Sequence, residues 1–177
     1  MVDLNTCDMA NLGCGKRNHE PSMINVDVMP YSHVDVVCDV TKDPLPFNKD
    51  QFSYVRVWML LEHLRDWESF LYKLRPFCRD GCVIDIKVPY YNSASMVGSY
   101  QHVRWFGYKP FEDFANTENE LYKKKLWECN KTKLKPSFVG KFIPGFKIYK
   151  DLSLRTLCSF FIGNLIHESQ SSLIVKK

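Results

Sequence analysis

In the first ninety residues, short apolar runs alternate with polar turns. The runs are DMANL (8–12), MINVDV (23–28), HVDVVCDV (33–40), FSYVRVWM (52–59) and GCVIDIKVP (81–89). Their length, bounding turn residues and content of β-branched and aromatic side chains predict five strands. Between the fourth and fifth runs the period changes. In RDWESFLYKLRPF (65–77), Trp67, Phe70, Leu71 and Leu74 recur at the i, i+3, i+4, i+7 spacing of an amphipathic helix. Asp66 stands where an N-cap is needed, and Gly81 where the following turn would close.

A strand, a helix and a strand in that order predict a right-handed crossover within a parallel sheet. The expected fold class is therefore α/β, a Rossmann-like, mostly parallel sheet with helices on both faces. Beyond Pro89 the pattern thins. YKPFEDFANTENELYKKKLWE (108–128) contains helical stretches, GFKIYKDL (145–152) reads as a strand, LRTLCSFFIGNL (154–165) as an apolar helix and SSLIVKK (171–177) as a last strand. These add an antiparallel edge strand to the expected sheet. The 177 residues suit one domain, 1–177, with a core of ordinary size.

Composition narrows the partners more than the fold. Hydrophobic residues make up 45% and charged residues 25%, the balance of a soluble globular chain. No run approaches the ~20 apolar residues that cross a bilayer. The first residues lack the basic-then-apolar order of a signal peptide, so a cytoplasmic location is expected. The net charge of +4 admits an anionic partner without requiring one. The basic run 122–135 is expected to be a solvated face, and no aromatic-interleaved basic groove suggests RNA. Seven cysteines without CxxC spacing predict reduced thiols and no metal site. The apolar segment LSLRTLCSFFIGNLI (152–166) is too short to span a membrane and is expected to cover the sheet, with peripheral membrane contact the lesser reading. A homo-oligomer is left open.

The segment with chemistry in it is NLGCGKRNHEPSMINVD (11–27). Gly13 and Gly15 follow the first strand, where an open parallel sheet places its ligands. Glycine there tolerates positive φ and lets backbone approach a ligand. Asp27, ending the second strand, is placed to accept both hydroxyls of a ribose. Asp39 ends the third strand, near where an adenine edge would fall. A dinucleotide is disfavoured. The third glycine of G-x-G-x-x-G is replaced by Asn18, and Asp27 follows Gly15 by only 12 positions instead of the usual ~20. A phosphate-binding P-loop is excluded because no GK[ST] is present.

NLGCG, INVDV, VVCDVTKDPLPF, the block from FSYVRVWMLLEHL to KVPYYN, and HVRWF together resemble the small class I S-adenosylmethionine-dependent methyltransferases of the type-11-like group. The resemblance runs from about residue 11 to 114, with each block at a strand end and in the family's order. It implies S-adenosylmethionine as the cofactor, residues 1–90 as the cofactor-binding half and 91–177 as the substrate-side half. It also implies roles. Asn11 opens the glycine motif, in the place the family often gives to an acid. Gly13, Cys14 and Gly15 would cradle the methionine part, Asp27 would bind the ribose, and Asp39 with Val40 would meet the adenine. Trp58 and Met59 would line the cofactor, with an indole at Trp58 where the family has a small or polar residue. Leu61, Glu62 and His63 would fix the following turn. Ser53 stands where the family usually has Asp.

Methyl transfer is an in-line displacement in which positioning supplies several kcal/mol, and a base is needed only for an acceptor that must lose a proton. His102, in SYQHVRWF, is the candidate base, because the segment after the fifth strand approaches the methyl in this family. Tyr90 and Tyr91 are candidates to orient the acceptor. His63 reads as a turn or core histidine. Asp85 and Lys87 receive no role. The absence of an N-P-P-Y tetrapeptide disfavours methylation of adenine or glutamine amino groups. Two functions remain. One is a methyltransferase acting on a small-molecule, saccharide or lipid-linked acceptor. The other is a methyltransferase-like binding protein or partner subunit without catalysis.

Overall fold

The computed structural model describes residues 3–42, 44–130, 132–149 and 152–177, with backbone alone for 147–149. The strands are β1 (Met9–Leu12), β2 (Ile24–Asp27), β3 (Val36–Val37), β4 (Phe52–Trp58), β5 (Cys78–Pro89), β6 (Trp127–Cys129), β7 (Lys133–Pro136), β8 (Lys147–Tyr149), β9 (Leu152–Ser153) and β10 (Ile166–Val175). The helices are α1 (Trp67–Leu74), α2 (Ala94–Val97), α3 (Pro110–Leu121) and α4 (Leu154–Ser159). The main sheet runs β3-β2-β1-β4-β5-β10-β6, with β7 also pairing β10. β1 to β5 are parallel, and β10 enters antiparallel between β5 and β6. β8 and β9 form a separate antiparallel pair. The mostly parallel Rossmann-like sheet with an antiparallel strand toward one edge is the one the sequence pattern implies.

Alternation along the strands sorts the side chains onto two unlike faces. One face is apolar: Val55 and Val57 of β4, Ile84, Ile86 and Val88 of β5, and Leu173 and Val175 of β10 are buried in one core. Helices α1 and α3 lie on it. Trp67 of α1 meets Phe111 and Phe114 of α3 at ring distances of 5.4 and 5.2 Å, and Phe114 meets Trp127 of β6 at 5.6 Å. The α1 stripe Trp67, Phe70, Leu71 and Leu74 is buried as its spacing predicts. Each such side chain contributes about 1.5–3 kcal/mol on burial. Asp66 caps this helix by accepting from the Ser69 amide at 3.0 Å, a contact worth about 1 kcal/mol.

The opposite face carries charge and one indole. Trp58 lies between Lys87, whose Nζ is 3.5 Å from the ring centroid, and Arg56, whose Cζ is at 4.3 Å. Its Nε1 donates to Asp85 at 2.9 Å, and Tyr54 and Gln170 donate to the same carboxylate at 3.0 Å each. Arg56 pairs with Glu20, and Glu168 takes both Lys87 and Lys135. Among the described residues no helix follows β1, β2 or β3. After β1, Pro21 and the short distance to Ile24 leave no room for one, and side-chain amides hold the loop instead. Asn11 donates to Asn18 O at 2.6 Å and to Asn25 Oδ1 at 3.0 Å, while Asn25 donates to the Glu20 and Met23 carbonyls at 2.9 Å each.

Several boundaries differ from the sequence pattern. Strand β5 begins at Cys78, and Gly81 (φ +78°) lies inside it, at a register shift where Phe52 pairs Cys78 but Tyr54 pairs Val83. The glycine therefore serves a bulge and not the turn after α1. The run 33–40 pairs only over Val36–Val37, because the Asp35 carboxylate itself takes the Asn25 amide. The last strand is longer than SSLIVKK. The apolar segment 152–166 folds as the short α4 followed by a turn that leaves Phe160, Phe161 and Ile162 exposed. Of the predicted strand at 145–152, positions 150 and 151 lie outside the described residues.

Candidate functional site

At the carboxyl ends of β1, β2 and β4 a cavity of about 630 Å³ opens, a volume in the range of small-molecule sites. Gly13, Gly15, Asp27, Asp39, Val40 and Met59 line it, joined by His63, Leu64 and Gln101. The glycine loop is built from β2. The Val26 carbonyl accepts from the amides of Gly13 at 2.8 Å and Cys14 at 3.1 Å. Gly13 sits at φ +70° and Gly15 at φ +52°, both left-handed. A Cβ on Gly13 would lie 2.9 Å from Leu60 Cδ1, whereas one on Gly15 would meet nothing within 4 Å. The second glycine, which lines the cavity, thus has open room where a side chain would be.

Asp27 ties the loop to β2. One carboxylate oxygen accepts from the Gly15 amide at 2.7 Å, the other from the Met29 amide at 2.9 Å. A carboxylate offers about four acceptor positions, so each oxygen keeps one for a ligand hydroxyl. The Gly15 carbonyl can only accept, so the His33 ring nitrogen 2.7 Å away carries the proton. Asp39 accepts from the Thr41 hydroxyl at 2.7 Å and amide at 3.0 Å and pairs with Lys42 at 3.2 Å. The Thr41 bonds hold its carboxyl below the usual range, so it faces the cavity as an anion.

Three residues of the sequence-derived cofactor set are not brought to this cavity. Asn11 is buried in β1, committed to Asn18 and Asn25. Cys14 is buried, and desolvation followed by the nearby Asp27 charge pushes its thiol up to about 11. Trp58 projects to the charged face of the sheet, because β4 is still alternating there. Only at Met59 (φ +52°) does the chain leave the strand and turn into the cavity.

The candidate acceptor residues separate in the same way. Tyr90 is wholly buried, with its hydroxyl 3.3 Å from that of Ser159. Tyr91 packs on the Tyr90 ring at 5.0 Å and does not line the cavity. His102 is half-buried behind His63, with ring centroids 4.8 Å apart. His63, which reads from the sequence as a turn or core residue, is the imidazole on the cavity wall. Partial desolvation, then the neighbouring His102, lowers its pKa. Beside them Glu62 is fully buried, and burial pushes its carboxyl up to about 7. Motif spacing could not reveal this cluster, since His102 arrives from a separate loop. The available signal was adjacency: an acid and an imidazole together at the end of a strand.

No protein-family model matches the sequence, and no curated protein matches it. Solved structures do. A SAM-dependent methyltransferase from Archaeoglobus fulgidus is 14% identical and superposes with a TM-score of 0.59 over 98% of this chain and 88% of its own. A plantazolicin methyltransferase, solved with a pentazolic desmethyl analogue and SAH, gives 13% and 0.55 over 96% and 76%. The [4+2]-cyclase SpnF gives 11% and 0.55 over 95% and 75%. The fold is that of the small class I S-adenosylmethionine-dependent methyltransferases. At these identities the likeness establishes the fold, which in SpnF belongs to a protein described as a cyclase.

Proposed function

We propose that the chain is an S-adenosylmethionine-dependent methyltransferase acting on a small-molecule, saccharide or lipid-linked acceptor. The observation that carries this is the convergence of Gly15, Asp27, Asp39 and Val40 on one cavity at the strand ends. The residues fit the cofactor. Asp27 retains acceptor capacity for the two ribose hydroxyls, the Gly13–Gly15 turn leaves backbone-lined room for the methionine part, and anionic Asp39 with Val40 suits the adenine edge. The likeness of fold to the plantazolicin methyltransferase solved with SAH supports the reading.

When bound, the cofactor would supply an electrophilic methyl on a sulfonium: an acceptor lone pair would bond to the methyl carbon in line as the carbon–sulfur bond breaks and the neutral thioether leaves. The protein's part is alignment and exclusion of water. His63 and Gln101 present polar groups to the same cavity as Asp27. His63 takes a proton from a hydroxyl or amine acceptor, and His102 holds the neighbouring position as its partner. Trp58 bears on the choice between an active enzyme and a silent binding protein. Its bulk would crowd a cofactor pocket, but it does not line the cavity and packs between Arg56 and Lys87, which supports the active reading.

The test is calorimetric titration with S-adenosylmethionine and S-adenosylhomocysteine, repeated with Asp27→Ala. Binding by the wild type and at least a 100-fold loss in the variant, about 2.7 kcal/mol, is expected. No binding by folded wild type refutes the reading. Binding without turnover over a panel of hydroxyl and amine acceptors favours the partner-subunit alternative.

A further inference from the structure

We propose that Glu62, His63 and His102 form a binding site for a divalent transition-metal ion on the wall of the cavity. One ligand atom from each lies within 4.8 Å of the others. Two imidazoles and one carboxylate form the donor set of His₂Glu zinc sites and of two-histidine, one-carboxylate iron sites, both of which leave coordination positions open.

Three features of the cluster are those of a prepared site. First, both histidines are oriented from behind. His63 Nδ1 lies 3.3 Å from the Gln101 carbonyl and His102 Nδ1 3.0 Å from the Met96 carbonyl. A carbonyl only accepts, so each Nδ1 carries the hydrogen and each Nε2 presents its lone pair. Orientation of a ligating imidazole by its second nitrogen is the usual outer layer of a metal site. Second, Glu62 is 1% exposed, and its Oε2 has no hydrogen-bond partner. A desolvated carboxylate oxygen left unpaired costs about 1–3 kcal/mol or more, and a bound cation removes that cost. Third, the two segments are clamped together. The Glu62 carbonyl accepts from the Val103 amide at 2.8 Å and the Arg104 amide at 3.1 Å, which fixes the His102 loop against the turn carrying Glu62 and His63.

A zinc ion with bonds of ~2.1 Å spaces tetrahedral ligands about 3.4 Å apart. The cluster therefore needs side-chain rotations of roughly an ångström, while its backbone is already in place. The absence of a metal motif in the sequence reflects spacing, since the third ligand comes from another loop. Because His63 lines the cavity, the open coordination positions face the acceptor space. There the ion would hold an acceptor oxygen and lower its pKa, the proton leaving to solvent; with its Nε2 on the ion, His63 would then be a ligand and not the base. This role rests on the methyltransfer reading; metal binding does not.

The experiment uses the full chain, stripped with a chelator and dialysed, without S-adenosylmethionine. Zn²⁺ is titrated by calorimetry and Co²⁺ by visible absorption. One equivalent of each, a cobalt spectrum of nitrogen and oxygen ligation, and at least a 100-fold loss of affinity in Glu62→Gln and His102→Gln are expected. Circular dichroism checks that the variants fold, and exposed His63→Gln serves if either does not. No uptake, uptake indifferent to these substitutions, or thiolate-to-cobalt bands that place the ion on cysteines would each overturn the proposal. Because the readout needs no methyl transfer, its failure and that of the proposed activity are separable.

Discussion

Gly13→Ala tests whether the loop at the cavity is as tightly specified as its geometry implies. Two costs add. At φ +70° an L-residue loses roughly 1–2 kcal/mol against its ordinary conformations. The new Cβ would also lie 2.9 Å from Leu60 Cδ1, 3.1 Å from Leu60 Cβ and 3.2 Å from Leu60 Cδ2. Carbon atoms prefer about 3.5–4.0 Å, and overpacking of this kind costs about 1–3 kcal/mol. The expected loss is therefore about 2–5 kcal/mol, a drop in Tm of at least ~4 °C for a chain of this length. A double-mutant cycle separates the two costs. In a Leu60→Ala background two of the three close contacts are gone, so Gly13→Ala should cost about 1–2 kcal/mol less than in the wild type. Urea unfolding of the four proteins at 25 °C measures each corner. Equal costs in both backgrounds would refute the Leu60 contact. A wild-type cost below about 1 kcal/mol would refute the rigidity of the left-handed turn.

Two further outcomes follow from the site and from the face behind it. In chelator-treated protein, Glu62 should make stability fall as pH rises. Its folded-state value of about 7 exceeds the ordinary 4.5, so the native state holds the extra proton, and the benefit is complete below 4.5 and lost through about 7. Unfolding by urea across that window should show wild type losing roughly 3 kcal/mol relative to Glu62→Gln, whose own profile keeps the opposite trend from the lowered His63 pKa. Trp58→Phe keeps a ring between Arg56 and Lys87 but removes the donor to Asp85. It should cost about 1–3 kcal/mol in unfolding free energy while leaving S-adenosylmethionine affinity within about twofold. A large loss of affinity in calorimetry would show that the indole reaches the cofactor after all.

The sequence was most informative where local chemistry and tertiary demand agree. The α1 stripe and its Asp66 cap are set by a periodic pattern and one side-chain hydrogen bond, and both are legible without neighbours. Gly13, Gly15 and Asp27 are legible because left-handed turns and strand-end acids leave few alternatives. At Trp58 a single step along the strand decides which side chain lines the cavity. Strand parity already sends Tyr54, Arg56 and Trp58 to one face, and only the positive φ of Met59 redirects the chain. Gly81 illustrates the same limit, since a bulge and a turn ask for the same residue. Asp85 and Lys87 had no readable role because their partners, Trp58 and Gln170, come from other strands. The Glu62, His63 and His102 cluster was illegible for the same reason. Only the fold brings the two loops together.

The place of β10 also sets an order of events in time. It lies between β5 and β6, and Gln170 meets Asp85 across 85 positions of chain. Until that strand is made, the edge of β5 offers unpaired amides and carbonyls beside Ile84, Ile86 and Val88. Strand pairing over such separations must meet the loop-closure entropy first, and so comes late. The cavity wall built from β1, β2 and β4 pairs over 14 positions between β1 and β2 and 45 between β1 and β4. During synthesis the cofactor side can therefore take shape while the middle of the sheet is still an open edge, and that interval is when the chain is most exposed to pairing with a copy of itself.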